Sequence, residues 1–88
     1  MLAVLRSGWL TTGPVAARFE EEFARAVGVP HALALNSATA GLHLSLEALG
    51  IGPGPLVLTP PYTTVATAEV VRYLGADVRF VDVEEGTA

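Results

Sequence analysis

No cysteine and no lysine occur among these 88 residues; the five basic side chains are Arg6, Arg18, Arg25, Arg72 and Arg79. Without thiols there is neither a disulfide nor a thiolate metal site, and the composition agrees with a reducing cytoplasm, where the chain is expected to reside. Without lysine there is no side-chain amine to act as a covalent nucleophile. Charge is sparse as well, at 16% of residues against a usual share of about 25%. The net charge is −4, and the scattered arginines form no basic patch, so nucleic-acid binding has no electrostatic basis. No apolar run approaches the roughly 20 residues of a membrane helix. The opening MLAVLRSGW lacks the basic start and long apolar core of a signal peptide. His31 and His43 have no third ligand near them in sequence, so no metal site is expected. Nucleophile elbows, P-loops and zinc-protease motifs are absent.

What is abundant is apolar surface. Hydrophobic residues make up 51% of a chain long enough for at most one small domain. A chain of this length covers about 60–70% of its unfolded surface on folding. Partner chains, or a larger body of which these residues are part, are therefore expected to cover the remainder.

Residues 1–13 end in SGWLTTG, a non-periodic run of Gly, Thr and Trp that reads as an irregular segment. Pro14 suits a first helical position. Val15, Phe19, Phe23 and Val27 then fall four apart on one stripe up to a glycine stop at Gly28, which predicts a helix with its Glu20–Glu22 triplet in solvent. His31–Leu35 is nearly all apolar and predicts a strand buried on both faces. A second helix carries Leu42, Leu46 and Leu49 and ends at Gly50. Leu56–Thr59 predicts a second buried strand, Val65–Leu74 a third helix stopped by Gly75, and Asp77–Val83 an alternating third strand. The tail Glu84–Ala88 is polar. The glycines around Gly52 and Gly54 follow a helix and precede a strand, the reverse of a dinucleotide-binding context. Alternating helices and buried strands with short connections imply an α/β layered sheet, left incomplete within residues 14–88.

Ligands of open α/β sheets bind beyond the carboxyl ends of strands. Two such ends lead into helix starts: Asn36-Ser37-Ala38-Thr39-Ala40, and Thr59 to Thr64. A helix N-terminus presents unpaired N–H groups and partial positive charge, which suits a phosphate or carboxylate. Asn, Ser and Thr are also common helix caps whether or not anything binds. The residues alone leave both readings standing. Trp9 is either a packing anchor or a wall of a binding cleft.

Several blocks together, SGWLTTGPxxxxFEEEFA, VGVPHALALNSATAGLHLSLEALGIGPG and TPPYTTVATAEVVRYLGADVRFVDVEEGT, resemble the N-terminal part of the DegT/DnrJ/StrS family. These are pyridoxal-phosphate-dependent sugar aminotransferases of the aspartate aminotransferase fold (fold type I). The likeness runs from about Ser7 to Thr87. It implies a partial large domain of that fold, with Ala38, Thr39 and Ala40 holding the phosphate of pyridoxal 5'-phosphate. It also implies that Trp9, Thr11 and Thr12 lie on the substrate side, near the active-site mouth of a dimer. The substrate class implied is a nucleotide-linked keto sugar. Two departures stand out. Thr64 occupies the position where the family usually stacks an aromatic residue on the cofactor ring, and a hydroxyl offers no such surface. Pro55-Leu56 replaces the usual acidic pair after GPG.

The family's Schiff-base lysine and the aspartate at the pyridine nitrogen lie downstream of the matching region. No catalytic residue is therefore assigned here, and the chain by itself is expected to be inactive, as a truncated or split aminotransferase. Its partner would be a second copy or a complementing C-terminal chain. The alternatives are a non-catalytic phosphate-binding or subunit-association module, and a structural remnant associating through open sheet edges.

Overall fold

The computed structural model describes residues 1–86; Thr87 and Ala88, the end of the predicted polar tail and of the family likeness, lie outside the described residues. Two compact units divide the chain, Met1–Ala34 and Leu35–Ala88.

The first unit holds helices α1 (Leu2–Ser7) and α2 (Pro14–Val27). The expected irregular opening thus contains a short helix. Its residues, LAVLRS, are mostly good helix formers, and Gly8 closes it at φ 73°. Helix α2 starts on Pro14, as the fixed φ of proline favours, and closes at Gly28. Its stripe of Val15, Phe19, Phe23 and Val27 forms as predicted, but each of the four is more than half exposed. Phe19 and Phe23 cover each other, with ring centroids 5.9 Å apart. Helical periodicity made the stripe; only Ala24 of α2 is buried. The acidic triplet divides its work. Glu22 pairs with Arg18 at 2.9 Å, and Glu20 accepts the Ala34 N–H at 2.8 Å.

That second bond explains a correction. His31–Leu35 was expected to be a buried strand, yet among the described residues it forms no strand ladder, and Leu33 is exposed. A strand is defined by its partner ladder, and here the Ala34 donor goes to a carboxylate instead. The run's apolar character carried no information about who its partner would be.

The second unit holds α3 (Ala38–Ala48), β1 (Leu56–Thr59), α4 (Val65–Tyr73) and β2 (Asp77–Phe80). Strands β1 and β2 run parallel, from Leu56 opposite Asp77 to Thr59 opposite Phe80, with α4 as the crossover between them. Helix α4 packs on both strands and on α3. Its Val70 and Val71, with Ala76, form the buried core. Burial of both strand faces does not occur: Leu56, Leu58 and Phe80 are all exposed, while Val57 and Val78 between them are half-buried. The third predicted strand stops three residues early. Thr59 O accepts the Val81 N–H at 3.1 Å, and beyond it Pro60 and Pro61 have no N–H to continue a ladder.

Gly75 is required where α4 turns into β2. It sits at φ +79°, and a Cβ there would come within 3.2 Å of Pro53 Cγ. Any side chain is strained at that φ and crowded by the proline as well. Beside it, Arg72 donates to Ala76 O at 3.2 Å and pairs with Asp77 at 2.6 Å, tying the helix end to the strand start.

Candidate functional site

The start of α3 is built by local chemistry. Ser37 is extended (φ −160°, ψ 155°), and its Oγ accepts the Ala40 N–H at 3.2 Å, a capping bond that satisfies one of the helix's first donors. Ser37 Oγ itself donates to Asn36 Oδ1 at 3.4 Å. The Gly41 N–H is used by Ser37 O at 3.2 Å. The N–H groups of Ala38 and Thr39 have no acceptor among the described residues, and the Thr39 hydroxyl makes no hydrogen bond there either. Ser37 thus takes one donor, and two adjacent amides with a threonine hydroxyl are left without a hydrogen-bond partner among the described residues. Ala40, the other backbone donor named from sequence, is engaged by the cap.

Helix α4 starts differently. Thr64 is its N-cap in extended geometry, but its side chain makes no capping bond. The neighbouring hydroxyls of Thr63 and Thr67 bond each other at 3.0 Å, while Thr64 O accepts the Thr67 N–H at 3.1 Å. Tyr62, close in sequence, projects fully into solvent. Thr59, at the end of β1, is buried, which fixes the base of the loop that carries Thr64.

In the first unit, Trp9, Thr11 and Gly13 line a cleft of about 420 Å³ together with Val4, Ser7 and Phe19. The Trp9 indole N–H donates to Thr12 O at 2.7 Å, and its backbone N–H donates to Ser7 Oγ at 3.2 Å. Trp9 and Thr11 are thus brought to one cleft, and Thr12 takes part through its carbonyl. Sequence reasoning missed Gly13 as a contact residue. Its spacing of four from the single tryptophan was the available signal.

Among the described residues, no three His, Cys, Asp or Glu side chains are grouped to hold a metal, and no helix is long and apolar enough to cross a membrane. His43 instead packs edge-on to Tyr73, with centroids 6.0 Å apart. The Tyr73 phenol is held above its usual pKa, first by hydrogen bonding with Glu69, then by desolvation and by the negative charge of the same carboxylate.

Comparison with known proteins agrees with the fold. The model of the DegT/DnrJ/EryC1/StrS aminotransferase family matches residues 1–88. A UDP-4-amino-4-deoxy-L-arabinose–oxoglutarate aminotransferase of Shewanella sediminis is 56% identical over 81 residues, 92% of this chain and 21% of that protein. A sugar aminotransferase of Streptococcus pneumoniae, solved in PLP, PMP and apo forms, superposes with a TM-score of 0.91 at 40% identity, over 98% of this chain and 22% of its own. An aminotransferase of the same family from Brucella abortus gives 0.86 at 41% identity, over 93% and 22%. The chain therefore spans about a fifth of the length of the relatives it matches.

Proposed function

Because the chain belongs to the DegT/DnrJ/EryC1/StrS aminotransferase family, we propose that it forms the N-terminal, phosphate-binding part of a pyridoxal-phosphate-dependent aminotransferase acting on nucleotide-linked keto sugars. The observation that carries this reading is the start of α3, where a capped turn leaves the Ala38 and Thr39 amides free beside the Thr39 hydroxyl. Those groups fit a phosphate. They are donors at the positive end of a helix dipole, with no carboxylate among the residues that form the turn. Ala38 and Thr39 would hold the cofactor phosphate directly, and Ala40 would join them by exchanging its bond to Ser37. Thr64 would face the cofactor ring with a hydroxyl in place of an aromatic surface, a weaker platform. When bound, pyridoxal phosphate supplies the electron sink for amino-group transfer.

What these residues do is bind and orient. With no lysine among them, they offer no amine for covalent attachment, so this chain alone is read as inactive. The lysine and the aspartate are assigned to the part of the enzyme outside these residues, since a second copy of them would bring no lysine either. Trp9, Thr11 and Thr12 are read as substrate-side residues. The name of the Shewanella relative, which carries a UDP-linked sugar and oxoglutarate, supports the substrate class and an α-keto acid as amino acceptor or its amino acid as donor.

Calorimetry with pyridoxal phosphate tests the reading. The expected result is weak binding that inorganic phosphate competes away and that pyridoxal, lacking the phosphate, does not reproduce. Equal binding of pyridoxal and its phosphate would overturn it. A non-catalytic phosphate-binding module remains the second reading, favoured by the same free amides; restoration of transaminase activity by a complementing C-terminal chain decides against it.

A further inference from the structure

The strongest unassigned feature is the way Trp9 is held. Its backbone N–H is bound by Ser7 Oγ at 3.2 Å, and that hydroxyl donates in turn to Val4 O at 2.7 Å. Its indole N–H reaches forward to Thr12 O at 2.7 Å. The ring lies over Gly13, where a Cβ would come within 2.5 Å of Trp9 Cδ1 and 2.7 Å of Nε1. Gly13 has φ −153° and ψ −174°, extended backbone that any residue adopts. Its lack of a side chain is therefore demanded by the indole and not by the backbone. Trp9 thus fastens the end of α1 to the start of α2, across the turn that places Thr11 at the 420 Å³ cleft.

We propose that Trp9 is a positioning residue: the indole, seated on Gly13 and bonded to Thr12 O, latches the 9–13 turn so that Thr11 faces the cleft, and its N–H is spent on the latch rather than on a ligand. The consequence for ligand binding rests on the reading that this turn lies on the substrate side. The latch itself does not.

Trp9 is the single tryptophan of the 88 residues, so the indole N–H gives one cross peak in a nitrogen-correlated NMR spectrum. Its exchange with water should be slower than that of free tryptophan by about five- to tenfold, the weight of one neutral hydrogen bond. Gly13→Ala should abolish that protection and move the peak, with the helix content unchanged. An unprotected indole in the wild-type chain, or an unmoved peak in Gly13→Ala, overturns the latch. If Gly13→Ala does not fold, the double variant with Trp9→Ala should, because the collision is gone; a double variant that is equally unfolded also overturns it.

UDP-glucose is the probe for positioning. Gly13→Ala and Trp9→Ala should weaken its binding by similar factors, and the double variant should be no worse than either, the non-additivity of two residues acting as one unit. A further loss on adding Trp9→Ala to Gly13→Ala would show that the indole touches the ligand itself and would refute a purely positioning role. If wild-type chain with a protected indole does not bind UDP-glucose, the substrate-side reading fails and the latch stands.

Discussion

Substitutions at Ser37 separate the cap from the anion site. Ser37→Ala removes the acceptor of the Ala40 N–H, and loss of an N-cap side chain costs about 1 kcal/mol. In a body of this size that lowers the thermal midpoint by about 4–8 °C. Ser37→Asp behaves differently, because aspartate caps as well as serine and its charge complements the helix dipole. Its midpoint should stay within about 2 °C of wild type, a cap of equal rank being worth a few tenths of a kcal/mol either way. The same charge stands beside the free Ala38 and Thr39 amides. Repulsion between unit charges about 5 Å apart runs from about 1 kcal/mol in water to about 3 kcal/mol at an effective dielectric constant of 20. Phosphate affinity should therefore fall by about five- to 150-fold, and less at high salt. Thermal melts followed by circular dichroism, with calorimetric titration of pyridoxal phosphate at two ionic strengths, read both effects. Equal phosphate affinity in Ser37→Asp and wild type would refute an anion site at this helix start. An unchanged midpoint in Ser37→Ala would refute the cap.

Four further outcomes follow from the packing and charge. Val71→Ala, in the core of the second unit, should cost about 1.5–3 kcal/mol in urea unfolding, whereas Val15→Ala on the exposed stripe of α2 should stay within about 0.5 kcal/mol. Asp77→Asn breaks an exposed ion pair with Arg72 and should cost under about 1 kcal/mol, a loss that added salt largely masks. Tyr73 should ionise above the ordinary tyrosine value when tyrosinate absorbance is followed, and Glu69→Ala should bring it down towards that value, given the causes of its raised pKa. Because the folded state keeps that proton longer than the unfolded one, stability from this group is fully present below about pH 10, the unfolded value, and declines as pH rises through the folded value. Finally, with Phe19, Phe23, Leu56 and Leu58 exposed, the chain should elute from size exclusion as an assembly. A compact monomer would count against association through these faces.

Local chemistry made much of this protein legible in advance. Pro14 and Gly28 bound α2 because a proline's fixed φ starts a helix and a glycine's freedom at positive φ ends one. Ser37 and Gly75 punctuate the second unit for similar reasons, and Leu56–Thr59 pairs in parallel with Asp77–Phe80, as alternating strands and helices require. The blocks around Trp9, Ser37 and Tyr62 carried the family likeness. What only the tertiary structure decided concerns partners. His31–Leu35 is apolar, but whether an apolar run becomes a strand depends on a neighbour supplying acceptors, and its Ala34 donor goes to Glu20. The stripe on α2 is set by periodicity, whereas its exposure depends on what else packs there. The same limit applied at the site. Helix-start chemistry pointed to free amides at α3, but only the coordinates divide them, giving Ala40 to Ser37 and leaving Ala38 and Thr39 open. Sequence alone determines which groups must be satisfied; the fold determines which neighbour satisfies them, because hydrogen bonds and burial are properties of pairs of segments and not of either one.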